Sequence, residues 1–295
     1  MTPALCAVHP EVPATATCAR CGRFFCAACQ GADQPLLCTE WVVLWMDPLG
    51  ILRSPLDLGA VLKNGMQMLS PVIGKVAVLT LVYSAPLVLF LAWMPPDGGG
   101  AMWTSFRMTS LYNLLAGTFC TIACTCLFVG AAEGHRLTMG ASLAEASARY
   151  GRVISTRIRT SLWTSLFLIA LIVPGVWKGI TLVFSIEAAV RLRKGDPLEQ
   201  SANLVRGRWW KVFGLWFCIQ AVALTTTGAL RLGSELLLET SAPSILMVLR
   251  FVEEWAAAFI EAAGTACLLA MFYAAVNTAG QRLEPMRWRE PQKQR

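Results

Sequence analysis

The chain has 295 residues, of which 56% are hydrophobic and only 15% are charged. Soluble domains carry about 25% charged residues, so this composition excludes a soluble enzyme as the leading interpretation, and it also excludes a disordered chain. The formal net charge of +7 would indicate nucleic-acid binding only if the basic residues clustered on one surface, so their placement has to decide.

Six of the eleven cysteines lie within the first 38 residues, where they form a regular pattern with one histidine. The order is Cys6-x2-His9, Cys18-x2-Cys21, Cys26-x2-Cys29 and then Cys38. Two ligands on one tight turn reach the same tetrahedral zinc ion, and metal binding supplies folding free energy to a segment too short for an apolar core. Residues 1–40 contain no apolar run of the signal-peptide type, so we expect a reducing cytosol, where paired cysteines bind metal. Gly22 suits a left-handed turn, and Phe24 and Phe25 are predicted to form the small core.

The pattern over residues 6–41 resembles a B-box-type zinc finger, in the short form that precedes some bacterial membrane proteins. The resemblance implies a cross-brace in which the first site is formed by Cys6, His9, Cys26 and Cys29. The second site is then left with three thiolates, those of Cys18, Cys21 and Cys38. Trp41 occupies the position of the fourth ligand and cannot bind metal, so Glu40, Asp33 or water has to complete this site if it is filled. We expect one tightly bound Zn²⁺ and leave a second, weaker ion open.

The charge of this finger argues against a nucleic-acid partner. Residues 1–41 contain two arginines and three acidic residues, whereas a phosphate-binding surface needs clustered lysine and arginine. We therefore expect the finger to bind an unidentified cytoplasmic protein.

The rest of the chain is predicted to lie in a bilayer. A helix needs about 20 residues to cross about 30 Å of hydrocarbon. Four apolar runs meet this length: Val76–Met94, Leu111–Ala132, Trp210–Leu230 and Trp255–Val276. A further run, Ser161–Val190, contains only two charged residues and is broken at Pro174-Gly175, so it is either one kinked span or a hairpin of two short ones.

The sequence thus divides into four parts. These are a B-box-like zinc finger at 1–41, an interfacial helical linker at 42–75, a multi-pass helical membrane domain at 76–280 and a basic cytoplasmic tail at 281–295.

The placement of basic residues favours the hairpin. Lysine and arginine gather on cytoplasmic loops, and here they concentrate in residues 133–160, 191–211 and 281–295. With a hairpin at 161–190, both termini and all three stretches are cytoplasmic, and four basic residues face outward against twenty-one inward. Each arm of about 13 residues is about 20 Å long, which leaves full crossings and a re-entrant segment open. The aromatic belt places Trp177 at the outer boundary and Trp209 at the inner one, in what we expect to be a bacterial cell membrane with anionic lipid contacts.

Two cytoplasmic connectors begin with similar helix-capping sequences. Ser142-x-x-Glu145 and Asp196-Pro197-Leu198-Glu199 both match a capping box, and their glutamates lie 54 residues apart. Asp57 starts a weaker third copy, so an internal repeat and a coincidence of short motifs both stay open.

A second resemblance covers about residues 57–280. It rests on a sparse set of residues: Pro174-Gly175, Glu187, Ser201, Leu204 and Gly207. They resemble a bacterial family of six-helix membrane proteins that includes the membrane domain of some glycerophosphodiester phosphodiesterases. The resemblance implies a fold and a topology but no phosphodiesterase activity, because that catalytic domain is separate.

Two carboxylates, Glu187 and Glu261, fall inside the predicted spans and are functional candidates by default. Glu187 precedes Arg191 by four residues, which favours a helical ion pair. Glu261 lies beside small residues, which favours a polar contact between closely packed helices, with proton coupling as the alternative. The sequence contains no metalloprotease, serine-hydrolase or phosphate-loop motif, so we do not expect an enzyme.

The sequence therefore predicts an all-α polytopic membrane protein with a small N-terminal zinc-stabilised module. The expected function is that of a membrane-anchored adaptor whose finger mediates protein–protein interaction. The alternative is a transporter or lipid-handling membrane protein with a regulatory finger. Membrane lipids are expected partners, and homo-oligomerisation stays open.

Overall fold

In the computed structural model, the described residues are 4–7, 9, 11–18, 22, 24–31, 34–38, 50–51, 54–93, 101–191, 195–238, 243–280, 286 and 288. Within these residues the protein is mostly helical, and five stretches are long and apolar enough to cross a membrane. They are Leu58–Phe90, Arg107–Ala132, Ile172–Arg191, Trp209–Ser234 and Met247–Thr278. The predicted fold class, a polytopic helical membrane protein with a small N-terminal cysteine-rich module, is confirmed.

Four short strands build the N-terminal module. They are β1 (Ala16–Thr17), β2 (Phe24–Phe25), β3 (Gln30–Gly31) and β4 (Gln34–Cys38), which pair antiparallel as β1–β2 and β3–β4. Gly22 has a φ of 68° in the loop between β1 and β2, as its position in the sequence predicts. Phe25 is buried but Phe24 is 47% exposed, so the prediction that both rings form the core is wrong for Phe24. Neighbouring residues of a strand point to opposite faces, and only one of these faces is covered.

Ten helices form the described remainder. They are α1 (Leu58–Leu69), α2 (Ile73–Trp93), α3 (Ala101–Tyr112), α4 (Thr118–Ala132), α5 (Met139–Ala170), α6 (Ile172–Thr181), α7 (Ser185–Arg191), α8 (Pro197–Val205), α9 (Trp209–Leu238) and α10 (Pro243–Thr278). A single 3₁₀ turn joins α1 to α2, and a π-helical turn at Asn113–Gly117 joins α3 to α4.

Side-chain caps explain where three helices begin. Asp57 caps α1 by accepting hydrogen bonds from the backbone N–H of Gly59 and Ala60 at 3.1 and 3.4 Å. Asp196 caps α8, so the starts predicted at Asp57 and Asp196 are confirmed. The start predicted at Ser142 is wrong, because α5 begins at Met139 with Thr138 as its cap. The Ser142 hydroxyl instead donates to the carbonyl of Ala123 at 2.8 Å.

Helix α10 is central to the helical core and packs against α1, α2, α4 and α9. The contact with α1 is close at Gly65, where an added Cβ would lie 2.7 Å from the Cys267 sulfur. Val61 and Met68 on the same helix are fully buried. Helix α1, which lies in the segment predicted as an interfacial linker, therefore contributes to the core of the helical domain.

Residues 161–190 fold as a helical hairpin, as the charge distribution predicts. The end of α5 and helix α6 run antiparallel, and an added Cβ on Gly175 would lie 2.6 Å from the Leu168 Cα. The chain reverses at Leu171, which has extended backbone angles of φ −163° and ψ 140°. The predicted break at Pro174-Gly175 is therefore displaced by three residues. Pro174 lies in the first turn of α6, where a backbone donor has no intrahelical partner to lose.

The prediction that Trp177 and Trp209 lie at opposite boundaries of the membrane is wrong. Trp177 stacks on Trp209 with ring centroids 4.5 Å apart, and the Trp209 indole donates to the Trp177 carbonyl at 3.2 Å. These two residues cannot mark opposite boundaries of a membrane. The apex of the hairpin at Leu171 precedes Trp177 by six residues, which corresponds to about 9 Å of helix rise.

Candidate metal centre

The N-terminal module brings together the ligands predicted for the first site. Cys6 and His9 lie on one loop, which is closed by hydrogen bonds between the backbones of Cys6 and Val12 at 3.0 Å and of Val12 and His9 at 2.9 Å. Cys26 directly follows β2, and a 3₁₀ turn places Cys29 on the same side through a Cys29 N–H bond to the Cys26 carbonyl. Two tight turns thus each present a pair of ligands to one point.

The four ligand atoms of Cys6, His9, Cys26 and Cys29 lie within 4.8 Å of one another. The His9 Nδ1 atom lies 3.3 Å from the Cys29 sulfur, 3.5 Å from that of Cys26 and 4.0 Å from that of Cys6. The sulfur atoms of Cys6 and Cys29 are 3.9 Å apart. A tetrahedral zinc ion with ordinary bond lengths places its sulfur ligands about 3.8 Å apart and sulfur and nitrogen about 3.6 Å apart. The cluster therefore has the spacing of a zinc site.

The pKa values of the ligands are shifted in both directions: burial acts to raise the pKa of the Cys26 thiol, but its hydrogen bond with His9 lowers that pKa overall. All three cysteines are buried, whereas His9 is exposed. Burial raises the pKa of the Cys29 thiol to about 11. Hydrogen bonds to the thiols of Cys26 and Cys6 raise the pKa of the His9 imidazole. A metal ion binding here must displace protons from its ligands.

The donor set also limits what the cluster can do chemically. Three thiolates and one imidazole complete a tetrahedral shell, so a zinc ion held by all four has no position left for a substrate or water. Among the described residues of the module, the buried core consists of four cysteines and Phe25. This arrangement is typical of a structural site in which the ion replaces an apolar core.

The second predicted site stays a prediction. Cys18 is buried in the same small core, but Cys21, the side chain of Cys38 and residues 39–49 lie outside the described part of the chain. In the part that is described, the first cluster is the one group of three or more such ligands that converges.

Glu187 occupies different surroundings from those predicted. Arg191 pairs with Glu133 at 2.5 Å, and both side chains are buried, so the predicted helical pair between Glu187 and Arg191 is wrong. The predicted pair does not form because Glu133, at the end of α4, offers Arg191 a carboxylate from another helix. Glu187 and Glu261 instead both line a cavity of about 580 Å³ between the helices.

Sequence reasoning missed two other features of the helical domain. Glu254 also lines the cavity, and its spacing of seven residues from Glu261 was a usable signal, because such residues share a helix face. Glu133 accepts a hydrogen bond from the backbone N–H of Met286 at 3.1 Å, so the segment predicted as a basic tail contributes a buried residue to the core. No sequence pattern pointed to that contact.

No family model matches the chain, and no curated protein and no solved structure matches it either.

Proposed function

We propose that the N-terminal module is a B-box-like zinc finger that holds one Zn²⁺ tightly and serves as a protein-binding adaptor on a membrane anchor. Two observations support the zinc assignment. The four ligand atoms have the spacing of a zinc site, and the first pair of ligands, Cys6 and His9, converges with the third pair, Cys26 and Cys29. The role of the ion is structural rather than catalytic, because the protein fills all four positions.

The observation that carries the adaptor role is the apolar surface of so small a module. Leu5, Val12 and Phe24 are 50%, 43% and 47% exposed. They are connected through the backbone, since Leu5 bridges to Pro13 and the Ala7 N–H bonds to the Phe24 carbonyl at 3.0 Å. Exposed apolar clusters of this kind favour protein contact over a solvated surface.

Affinity capture of the full-length protein from a membrane extract, with chemical cross-linking, tests this role. Phe24→Ser should keep the zinc ion and lose the captured protein, because Phe24 contributes surface but no ligand. Cys26→Ser should lose both, and Cys218→Ser, which makes the same change on an exposed face of α9, should lose neither. Unchanged capture by Phe24→Ser and Cys26→Ser together would reject the adaptor role.

We propose that the chain crosses the membrane an even number of times, with a helical hairpin at 161–190 and both termini in the cytoplasm. The hairpin enters and leaves on the same side, since Arg159 at its base pairs with Asp196 beyond its return arm at 3.1 Å. We expect a thiol reagent added from outside to label Gly98→Cys and Ser241→Cys. The same reagent should not label Asp196→Cys or Glu290→Cys. External labelling of Asp196→Cys would reject the hairpin topology.

A transporter or lipid-handling protein with a regulatory finger is the second candidate function. The partly open cavity that the buried Glu187 and the exposed Glu261 line between the helices favours it. Ionisable residues at membrane depth are costly and mark ligand or ion pathways. Uptake of a solute by vesicles that contain the wild type, abolished by Glu261→Gln, would support this candidate. No uptake by the wild type, together with full partner capture by Glu261→Gln, would support the adaptor alone.

A further inference from the structure

The cavity of about 580 Å³ lies between α2, α9 and α10, and the start of α7 borders it. A smaller cavity of about 110 Å³ shares Tyr83, Arg157 and Glu261 with it. Hydroxyl and amide side chains are distributed over its wall, among them Thr121, Thr265 and Asn113. The space is sufficient for a small organic molecule, and its wall offers that molecule hydrogen bonds along several helices.

The charges around the cavity are unbalanced toward negative. Its ionisable acidic and basic side chains are Glu187, Glu254, Glu261, Arg157 and Arg231. Arg231 forms an ion pair with Glu253, a residue that does not line the cavity, with its Nε atom 3.4 Å from the Glu253 carboxylate. Arg157 donates a hydrogen bond to the Thr118 hydroxyl at 3.0 Å. Three carboxylates thus face a cavity with one uncompensated guanidinium, which favours a cationic ligand.

Within the described part of the chain, Glu187 contributes a buried carboxylate with one unpaired oxygen atom to the lining of the cavity. This side chain is buried to all but 4%, and its Oε2 atom has no hydrogen-bond partner among the described residues. The nearest basic residue along its helix, Arg191, is bound to Glu133. A buried carboxylate oxygen without a partner costs folding free energy, and a ligand that donates a hydrogen bond to it removes that cost.

We infer that this cavity binds a small molecule that carries a primary ammonium group, with Glu187 as its principal anchor and Glu261 as the second. A primary ammonium has three donors. A carboxylate takes one, and hydroxyl and amide oxygens such as those of Thr121 and Asn113 take the others. A quaternary ammonium cannot use these acceptors, and an anion meets net repulsion. The inference names the ligand class for the second candidate function, and it depends on that function only for passage across the membrane.

Calorimetric titration of the full-length protein in detergent with 1,4-diaminobutane tests the inference, with tetramethylammonium and succinate at matched ionic strength as comparison ligands. The diamine should bind, and Glu187→Gln should weaken binding by about tenfold or more, since it removes a charge-assisted hydrogen bond. Glu261→Gln should also weaken it. Glu199→Gln is the matched control, because this carboxylate is exposed on α8 and does not line the cavity. Thermal unfolding of each variant separates lost binding from lost folding, and Glu187→Gln should unfold no earlier than the wild type.

Three results would overturn the inference: no binding of the diamine, equal binding of tetramethylammonium or succinate, or diamine binding that Glu187→Gln leaves unchanged. Uptake of labelled 1,4-diaminobutane by reconstituted vesicles tests the transport candidate separately. Binding without uptake would support the inference and reject transport. Loss of both would leave zinc binding by the N-terminal module unaffected, because that cluster shares no residue with the cavity.

Discussion

Replacement of Cys26 by serine should release the tightly held zinc ion and unfold the N-terminal module. A structural zinc site contributes about 10–16 kcal/mol of apparent binding free energy at neutral pH. If the four ligands contribute equally, one thiolate accounts for about 3 kcal/mol, which is about a hundredfold in affinity. Among the described residues of the module, Phe25 is the large side chain of the buried core, and its burial contributes about 1.5–3 kcal/mol. This is no more than what the lost ligand removes, so the burial of this ring does not compensate for the loss of Cys26.

Metal content and thiol reactivity together measure this effect. Zinc per chain is determined by mass spectrometry after dialysis against a chelator of graded strength, and alkylation counts the accessible cysteines of the same samples. The wild type should keep its ion and protect Cys6 and Cys29 from alkylation until the ion is removed. Cys26→Ser should lose the ion at about a hundredfold higher free zinc than the wild type, whereas Cys218→Ser should behave as the wild type. Equal retention of zinc by Cys26→Ser and the wild type would refute the assignment of this ligand.

Three further predictions concern the site and the helical domain. Because burial raises the pKa of Cys29 to about 11, this thiol is protonated at neutral pH and zinc must displace its proton. The apparent affinity for zinc should therefore rise between about pH 6 and pH 8 in competition titrations. An affinity that does not change over this pH range would contradict the prediction. Glu133→Gln leaves a buried arginine without its carboxylate and should lower the unfolding free energy in detergent by about 3–5 kcal/mol, against less than about 1 kcal/mol for Arg159→Gln, whose ion pair is exposed. Gly175→Ala places a Cβ 2.6 Å from the backbone of the other hairpin arm and should cost about 1–3 kcal/mol, whereas Gly179→Ala, with 3.4 Å to a methyl group, should cost little in the same thermal assay.

The first metal site was predictable from the sequence because its ligands lie close together along the chain. Pairs such as Cys26-x2-Cys29 determine the local turn by themselves, and the resemblance to a cross-braced finger supplied the pairing of Cys26 with Cys6. The exposure of Phe24 was not predictable in the same way. Two adjacent aromatic residues are equally apolar, and only the pairing of β1 with β2 decides which ring faces the buried sulfur atoms.

The helical domain shows a similar division between local and long-range information. Hydropathy identified the spans, and charge placement identified the hairpin at 161–190, because both properties are summed over many residues. The reversal at Leu171 and the stacking of Trp177 on Trp209 depend on how α6 packs against α5 and α9. Assigning each tryptophan to the nearer membrane boundary takes no account of this packing. It therefore placed Trp177 and Trp209 at opposite boundaries, although their rings are stacked.

The pairing of Arg191 connects the stability of the helical domain to its cavity. A spacing of four residues on one helix predicts that Glu187 and Arg191 neutralise each other. In the structure the guanidinium binds Glu133 and lies 5.7 Å from the ring of Tyr273, so a buried ion pair joins the end of α4 to α7 and α10. The carboxylate one turn earlier is thereby left to face the cavity. An arginine bound to Glu187 would compete with an ammonium ligand for this carboxylate. The helical pair that the sequence favours and the binding site that the structure supports are therefore mutually exclusive, and the choice between them depends on Glu133.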